Sequence, residues 1–252
     1  MKHTLHDHMG GYVLAHRASR SPAAAKGGFA VTISREAGAG GSSVAHRLAD
    51  YLDMRQPHDA QPWRVFDQNL VQEALQQHRM PAHLSQYLPE DATHFLPDTV
   101  EDLLGLHPSA SEMVRGLSET MLGLARRGNA IIVGRGGNIV TERLPNVIHV
   151  RLVAPLAQRV RNVQELHGCP QTEAVEFIAR TDRGRRRFLQ QNFGTRIEDP
   201  ASYDLILNTG RLGFDRAAAL IGDVLLDRIR GRAKLISDEE AGFFAGAQLS
   251  AA

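Results

Sequence analysis

The chain of 252 residues carries 29 basic and 28 acidic side chains, a formal net charge of +1, with 42% hydrophobic and 23% charged residues. This composition is typical of a folded globular protein, and the charge gives no general attraction to nucleic acid or to anionic membranes. The single cysteine, Cys169, excludes an internal disulfide and a cysteine-based metal site. Without a long apolar run or a signal-peptide core near the start, a cytoplasmic protein with no membrane partner is expected.

Strand and helix patterns alternate along the chain after residues 1–28, a polar segment with four histidines that is typical of a flexible tail. Strands are predicted at residues 29–34, 64–66, 130–133, 146–154 and 203–209. Helices are predicted at residues 42–52, 68–77, 111–128, 155–166, 172–193 and 214–230. Four prolines predict an irregular or short-helical insertion at about residues 80–111, and residues 231–252 are expected to form a C-terminal tail. The alternation predicts an open parallel sheet that binds ligands beyond the carboxyl ends of its strands.

A glycine-rich turn, S-R-E-A-G-A-G-G-S-S at residues 34–43, lies between the first predicted strand and the first predicted helix. Backbone N–H groups and a helix N-terminus form an anion cradle at such a position. A tight turn with a serine cap is the alternative, but three glycines in four residues are more than a turn requires. The turn is therefore predicted to bind phosphate, with Ser42 or Ser43 capping the helix and reaching a metal-bound phosphate.

The turn departs from the phosphate-loop signature G-x-x-x-x-G-K-[ST]. Arg35 stands at the first glycine of the signature and Gly41 at its lysine, and the only lysines of the chain are Lys2, Lys26 and Lys234. Arg35 or other arginines could supply the missing charge, although an arginine fork is not sterically equivalent to a lysine ammonium.

Arginines are concentrated in the second half of the chain, with ten arginines against four acidic residues between positions 143 and 196. Arg180, Arg183 and Arg187 share one helical face at i, i+3, i+7 spacing. A solvated face and an RNA-binding surface are the alternatives, and nucleic acid is disfavoured because no aromatic stacking motif accompanies the arginines. Together with a phosphate loop, the cluster indicates a lid that closes over polyphosphate.

Two further residues follow predicted strands at the same edge of the sheet. Asp67 comes directly after the strand at 64–66, as a ligand or equally as a helix N-cap. Arg135, between Gly134 and Gly136 after the strand at 130–133, is well placed for bidentate phosphate binding.

Five segments in order carry a resemblance to a known family: VTISREAGAGGSSVAHRLA, VFDQNLVQEA, IIVGRGGNIV, NVIHVRLVAPLAQRV and DPASYDLILNTGRLGFDRAAALI. The chain resembles the cytidylate-kinase-like family of P-loop proteins over residues 29–229. The resemblance implies a three-layer α/β/α nucleoside monophosphate kinase fold at residues 29–230. This fold has a five-stranded parallel sheet, an acceptor-binding insertion at about 80–111 and an arginine lid at about 180–196.

The resemblance also implies an activity and its residues. The activity is transfer of the γ-phosphate of ATP, with Mg²⁺, to CMP, dCMP or a related small phosphorylated acceptor. By the resemblance, ATP is bound by Gly38, Ala39, Gly40, Gly41, Ser42 and Ser43, with Ser42 contacting Mg²⁺ bound to the phosphates. Asp67, Arg135 and Arg185 match acceptor-binding positions, and Arg180, Arg183 and Arg187 match catalytic lid positions. Asp67 or Asp182 could hold the metal or orient the acceptor.

Three glycines depart from the family pattern. Gly41 stands at the lysine, and Gly136 and Gly184 stand where the kinases have acidic residues near the acceptor nucleoside. These departures predict that phosphate handling is retained while recognition of the acceptor nucleoside is altered. A catalytically degenerate nucleotide-binding sensor or partner-binding protein is the alternative. The oligomeric state is not predicted.

Overall fold

A computed structural model describes residues 28–57, 60–67 and 110–249, with side chains for all of these except 110–113 and 232–249. Its five strands form one sheet in which every neighbouring pair is parallel, in the order β2-β3-β1-β4-β5. The strands are β1 (Ala30–Arg35), β2 (Arg64–Phe66), β3 (Ala130–Val133), β4 (Val147–Val153) and β5 (Leu205–Asn208). The predicted five-stranded parallel sheet is confirmed.

The helices follow the strands as the sequence predicts, with two short additions. They are α1 (Gly41–Asp53), α2 (Ala110–Arg127), α3 (Gly137–Val140), α4 (Leu156–His167), α5 (Gln171–Phe193), α6 (Thr209–Leu212) and α7 (Phe214–Leu249). The four-residue helices α3 and α6 were not predicted. Within the described residues, no helix has the length and apolar character needed to cross a membrane.

The last helix differs from the prediction in length. The sequence pattern ends it at residue 230, whereas α7 continues to Leu249, so residue 231 is not a boundary of secondary structure. The predicted N-terminal tail (except residue 28), the predicted helix at 68–77 and most of the predicted insertion at 80–111 lie outside the described residues. The last two residues of that predicted insertion, 110 and 111, begin α2.

Alternating residues of the strands build two hydrophobic clusters, one on each face of the sheet. Val31 and Ile33 pack on one face in a cluster with Leu48 of α1 and residues of α7. Ala30 packs on the other face in a cluster with Met121 of α2. Because side chains of a strand alternate between faces, six residues of β1 are enough to serve both clusters. The result is three layers, with the loops after β1, β2, β3 and β4 at one edge of the sheet.

Candidate active site

The loop between β1 and α1 is a compact turn with two glycines in the left-handed region. Gly38 has φ 77° and Gly40 has φ 80°, a conformation that favours glycine. A Cβ at Gly38 would lie 2.5 Å from the carbonyl oxygen of Arg159, and a Cβ at Gly40 would overlap the ring of Phe214. Both glycines are therefore required by backbone conformation and by close packing.

Helices α4 and α5 hold this loop in place through polar contacts. The Asp182 carboxylate accepts the Ala37 N–H at 2.8 Å through Oδ1 and the Arg159 Nη1 at 2.6 Å through Oδ2. Asn162 Nδ2 donates to the Gly38 carbonyl at 2.7 Å, and Arg159 Nε lies 3.5 Å from Glu36 Oε2. Asp182 therefore fixes the loop with both carboxylate oxygens, which favours a structural role over the possible metal-binding role.

The N-terminus of α1 opens into a cleft of about 460 Å³. Among the described residues, no side chain caps the first turn of α1, so the N–H groups of Gly41, Ser42 and Ser43 keep no intrahelical partner. The helix dipole adds a partial positive charge at the same place. Five of the six residues predicted to bind ATP line the cleft, and Ala39 does not. The carbonyl of Ala39 accepts a hydrogen bond from Thr209 Oγ1 at 2.9 Å behind the loop.

A hydroxyl and a carboxylate meet on one wall of the cleft. Ser42 Oγ, at the start of α1, donates a hydrogen bond to Asp67 Oδ2, at the end of β2. A hydroxyl beside a carboxylate is a donor set that suits Mg²⁺, which usually keeps several waters and binds phosphate oxygens as well. Among the described residues there is no cluster of three or more histidine, cysteine, aspartate or glutamate side chains. The site therefore fits a metal bound together with a phosphate.

Two buried arginines form another wall of the cleft. Arg185 is 4% exposed, and its Nη1 donates to the carbonyl of Arg35 at 2.9 Å. Burial lowers the pKa of Arg185 to about 10, with Asp182 opposing and Arg151 adding to this effect. Burial, followed by the charge of Arg185, also lowers the pKa of Arg35 well below its ordinary value. An anion in the cleft would relieve the unfavourable energy of both guanidinium groups.

The other predicted arginines lie outside this cleft. The Arg135 guanidinium carbon lies 4.5 Å from the centre of the Phe188 ring. Arg180, Arg183 and Arg187 are on the exposed face of α5, as the spacing predicts. Arg183 and Arg187 line a separate concavity of about 540 Å³. Their catalytic role and the acceptor-binding role of Arg135 therefore stay predictions.

Two of the residues that support the loop were not predicted from the sequence. Arg159 and Asn162 both contact it, from the helix that follows β4. A signal for them exists in the sequence, because polar residues three positions apart share a helical face. The strand before them also ends at the edge of the sheet where ligands are expected.

Known proteins resemble this chain in both sequence and fold. A sequence model of the cytidylate kinase-like family matches residues 30–211. The chain is 24% identical over 196 residues to a cytidylate kinase of Thermococcus kodakarensis, covering 78% of this chain and 87% of that protein. It is also 27% identical over 111 residues to a uronate isomerase of Corynebacterium glutamicum, a match that covers 44% of this chain and 21% of the isomerase.

A solved structure agrees with the fold. An uncharacterized protein from Eubacterium ventriosum matches with a TM-score of 0.57 at 16% identity, over 78% of this chain and 98% of that one. The family match contains all five strands and the phosphate loop, and it supports a kinase that acts on a nucleotide or another small molecule. Because that match covers more than half of the sequence, this chain belongs to the cytidylate kinase-like family.

Proposed function

We propose that this protein transfers the γ-phosphate of ATP to CMP, dCMP or a related small phosphorylated acceptor. The observation that carries the proposal is that one cleft combines the N-terminus of α1, the Ser42–Asp67 pair and the buried Arg185. Phosphoryl transfer depends on positioning and on charge neutralisation more than on covalent chemistry by the protein. These three features supply the positioning and the charge neutralisation that the reaction needs.

The cleft has a volume of about 460 Å³, within the range of pockets that hold small molecules larger than an isolated phosphate. Its lining continues from the loop to Leu166, His167 and Phe177, at the corner between α4 and α5. The rings of His167 and Phe177 lie 5.1 Å apart between centroids. In the proposed complex the triphosphate lies on the N–H groups of α1, and the base lies at this aromatic end, where stacking is available.

Ser42 and Asp67 are the residues that would hold Mg²⁺. When bound, Mg²⁺ supplies positive charge that neutralises the β- and γ-phosphate oxygens. The contact between Ser42 and Asp67 favours a metal-binding role for Asp67 over the acceptor-binding role that the resemblance implies.

The remaining steps follow from the charges around the cleft. An oxygen of the acceptor phosphate attacks the γ-phosphorus of ATP, the bond from γ-phosphorus to the β–γ bridging oxygen breaks, and ADP leaves. The attacking oxygen is already ionised, so no side chain has to remove a proton from it. Arg185 stabilises the negative charge from a fixed, dehydrated position. We assign acceptor-phosphate binding to Arg135, and neutralisation during transfer to Arg180, Arg183 and Arg187 once their face of α5 approaches the cleft.

The test is transfer of labelled γ-phosphate from ATP to CMP, dCMP, UMP and AMP in the presence and absence of Mg²⁺. We expect Mg²⁺-dependent transfer to at least one acceptor. The variant Gly40→Val should abolish it, because the new side chain would overlap Phe214. Gly123→Ala is the folded control, since a Cβ at Gly123 meets no atom within 4 Å. Absence of transfer to every acceptor would contradict the proposal.

A nucleotide-binding sensor is the second candidate, and one observation favours it. Gly136, which replaces an acidic residue of the family pattern, has φ 76°, and a Cβ there would lie 2.8 Å from a ring carbon of Phe193. An aspartate at this position would be strained and would displace the Phe193 ring. Equilibrium binding of ATP without transfer to any acceptor would support the sensor.

A further inference from the structure

Gly41 has no conformational reason to be glycine. It stands at the lysine position of the phosphate-loop signature, and it is the first residue of α1. Unlike Gly38 and Gly40, it is not in the left-handed region, so the backbone would accept any ordinary residue. The reason for the glycine must therefore lie in what surrounds it.

The atoms nearest to a Cβ at Gly41 belong to a single side chain. A Cβ at position 41 would lie 2.9 Å from Cγ, 3.2 Å from Cδ and 3.3 Å from Nε of Arg35, and these are its three nearest atoms. The stem of Arg35 therefore occupies the space in which a lysine at position 41 would begin. Arg35 also lines the cleft, together with Ser42 and Asp67.

Arg35 is a buried cation in the lining of the cleft. It is 8% exposed and lies beside a second buried guanidinium, that of Arg185. A buried charge is unfavourable unless a charge of opposite sign lies close to it. Asp67 offsets part of this energy, and its electrostatic effect is smaller than those of burial and of Arg185. A polyphosphate on the α1 N-terminus would add further negative charge beside Arg35 and would favour its charged form.

We propose that Arg35 replaces the phosphate-loop lysine as the cation that contacts the polyphosphate of the bound nucleotide, and that glycine at position 41 makes room for it. This inference rests on the proposed function for its substrate, but it makes a separate claim about which residue supplies the charge. The guanidinium offers a planar fork for phosphate oxygens in place of the point charge of lysine.

The test moves the cation from one position to the other. Equilibrium binding of ATP and of inorganic tripolyphosphate is measured for the wild type, Arg35→Ala, Gly41→Lys and the double variant. Each single variant should bind tripolyphosphate roughly 10- to 100-fold more weakly, the range expected for one charge-assisted contact. The double variant should recover at least tenfold of that loss, because the lysine then has both space and ligand. A purely structural role for Arg35 would not produce this recovery.

Matched variants separate binding from folding. Gly41→Ala is helix-compatible and should weaken tripolyphosphate binding by displacing Arg35, whereas Gly123→Ala should not change it. If Arg35→Ala loses its cooperative melting transition, Gly41→Ala and the double variant decide the question. Unchanged tripolyphosphate binding in Gly41→Ala and in Arg35→Ala would overturn the inference.

The inference and the proposed function can fail separately. Tripolyphosphate binding that depends on Arg35, without transfer from ATP to any acceptor, would support the inference and contradict the proposed kinase activity. Transfer that is unaffected by Arg35→Ala would support the kinase and overturn the inference. A wild-type protein that binds neither ATP nor tripolyphosphate would overturn both.

Discussion

Helix α5 carries arginines on two faces, and the faces differ in burial. On the inner face, Arg185 is 4% exposed and donates to the carbonyl of Arg35. On the outer face, Arg183 and Arg187 are exposed and line a separate concavity. The inner arginine has already lost its water and its conformational freedom, so a phosphate gains the full benefit of its charge. An outer arginine has to lose both when it binds a ligand.

For the inner face, the free-energy cost of burying the charge of Arg185 follows from its pKa. Burial in the folded protein lowers the pKa of Arg185 from its ordinary value to about 10. Its charged form is therefore less favourable in the folded protein, by roughly 3 kcal/mol at any pH below 10. A bound phosphate that pairs with Arg185 can recover part of this free energy. The inner face is thus arranged for ligand binding at some expense of stability.

Replacing Arg185 by methionine should have the largest effect on activity. We expect kcat/KM for phosphate transfer to fall roughly 100- to 1,000-fold, as it does when a fixed electrostatic donor is removed from other active sites. The free energy of unfolding should change little, because the lost hydrogen bond is offset by removal of a buried charge. Steady-state transfer assays and urea unfolding measure the two quantities.

The control for Arg185→Met is Arg161→Met. Arg161 is exposed on α4 and contacts only Gln158, at 2.6 Å, among the described hydrogen bonds. Its substitution should leave transfer unchanged. If kcat/KM for Arg185→Met stayed within threefold of the wild type, the buried arginine would not contribute the expected charge stabilisation. The proposed functional difference between the two faces of α5 would then be wrong.

Asp67 lines the cleft and Asp182 holds its loop, so changing each of them to asparagine should affect different properties. Asp67→Asn should reduce transfer by roughly 100-fold and raise the Mg²⁺ concentration required, because it weakens a metal ligand. Asp182→Asn should leave the Mg²⁺ requirement unchanged and lower the free energy of unfolding by about 1 to 3 kcal/mol. The reason is that Asp182 accepts from Ala37 and Arg159, which fix the loop.

Mg²⁺ titrations of the transfer rate and urea unfolding distinguish the two carboxylates. If Asp182→Asn shifts the Mg²⁺ dependence and Asp67→Asn does not, the metal lies on the inner face of α5 and the present assignment is wrong.

Arg183→Ala tests the outer face and should have a smaller effect. We expect kcat to fall about tenfold while equilibrium binding of ATP stays within twofold, because Arg183 does not line the cleft that holds the loop. Parallel measurements of kcat and of ATP binding check this. A large loss of ATP binding would show that Arg183 already contacts ATP in the bound complex. The two faces of α5 would then not differ in their contact with the nucleotide.

The sequence predicted the face that Arg180, Arg183 and Arg187 share, but it did not predict where that face lies. Helical spacing determines which residues lie together, whereas the neighbours of a face depend on how the helix packs in the tertiary structure. Asp182 was interpreted as a possible metal ligand for the same reason, because its tertiary partners cannot be predicted from the sequence. Its partners are Ala37, 145 positions away, and Arg159 on another helix.

The strands and the long helices were easier to predict than the two four-residue helices. Short apolar runs bounded by turn residues predicted all five strands, including β2 at residues 64–66. Helices α3 and α6 have four residues each, too few for a periodic pattern to be recognised. Arg35 at the first glycine of the signature and Gly41 at its lysine were both visible in the sequence. Their relation was not, because it depends on the path of one side chain across the loop.

The smallest expected effect is a change of stability with pH. It should come from the sheet, at His149, and not from Arg185 at the cleft. Arg185, with a pKa of about 10, keeps its charge throughout the range from pH 5 to 8, so it cannot cause pH-dependent stability there. His149 on β4 can, since burial lowers its pKa below the ordinary value of 6.5. Asp204 opposes this effect and Arg228 adds to it. The ring Nδ1 lies 2.8 Å from Thr32 Oγ1.

The direction follows from proton linkage. As pH falls below 6.5, the histidine of the unfolded chain takes up a proton before His149 of the folded protein does. The stability contribution of neutral His149 is therefore complete above pH 6.5 and is lost as pH falls toward the lower pKa of the folded state. Asp204 and Glu198 have pKa values below their ordinary 3.8 and 4.5, so their contributions are lost only at more acidic pH.

Urea unfolding of the wild type and of His149→Gln at pH 7.5 and 5.5 measures this contribution. The wild type should lose stability between the two values, by at most ~1.4 kcal/mol, because pH 5.5 lies one unit below the ordinary pKa of 6.5. The variant should lose less, because glutamine can still accept a hydrogen bond from Thr32 and does not titrate. An equal loss in both proteins would mean that another group titrates on unfolding. If Arg185→Met then abolished the loss of stability between pH 7.5 and 5.5, the titrating group would lie at the cleft. The charge of the inner face of α5 would then change with pH over this range.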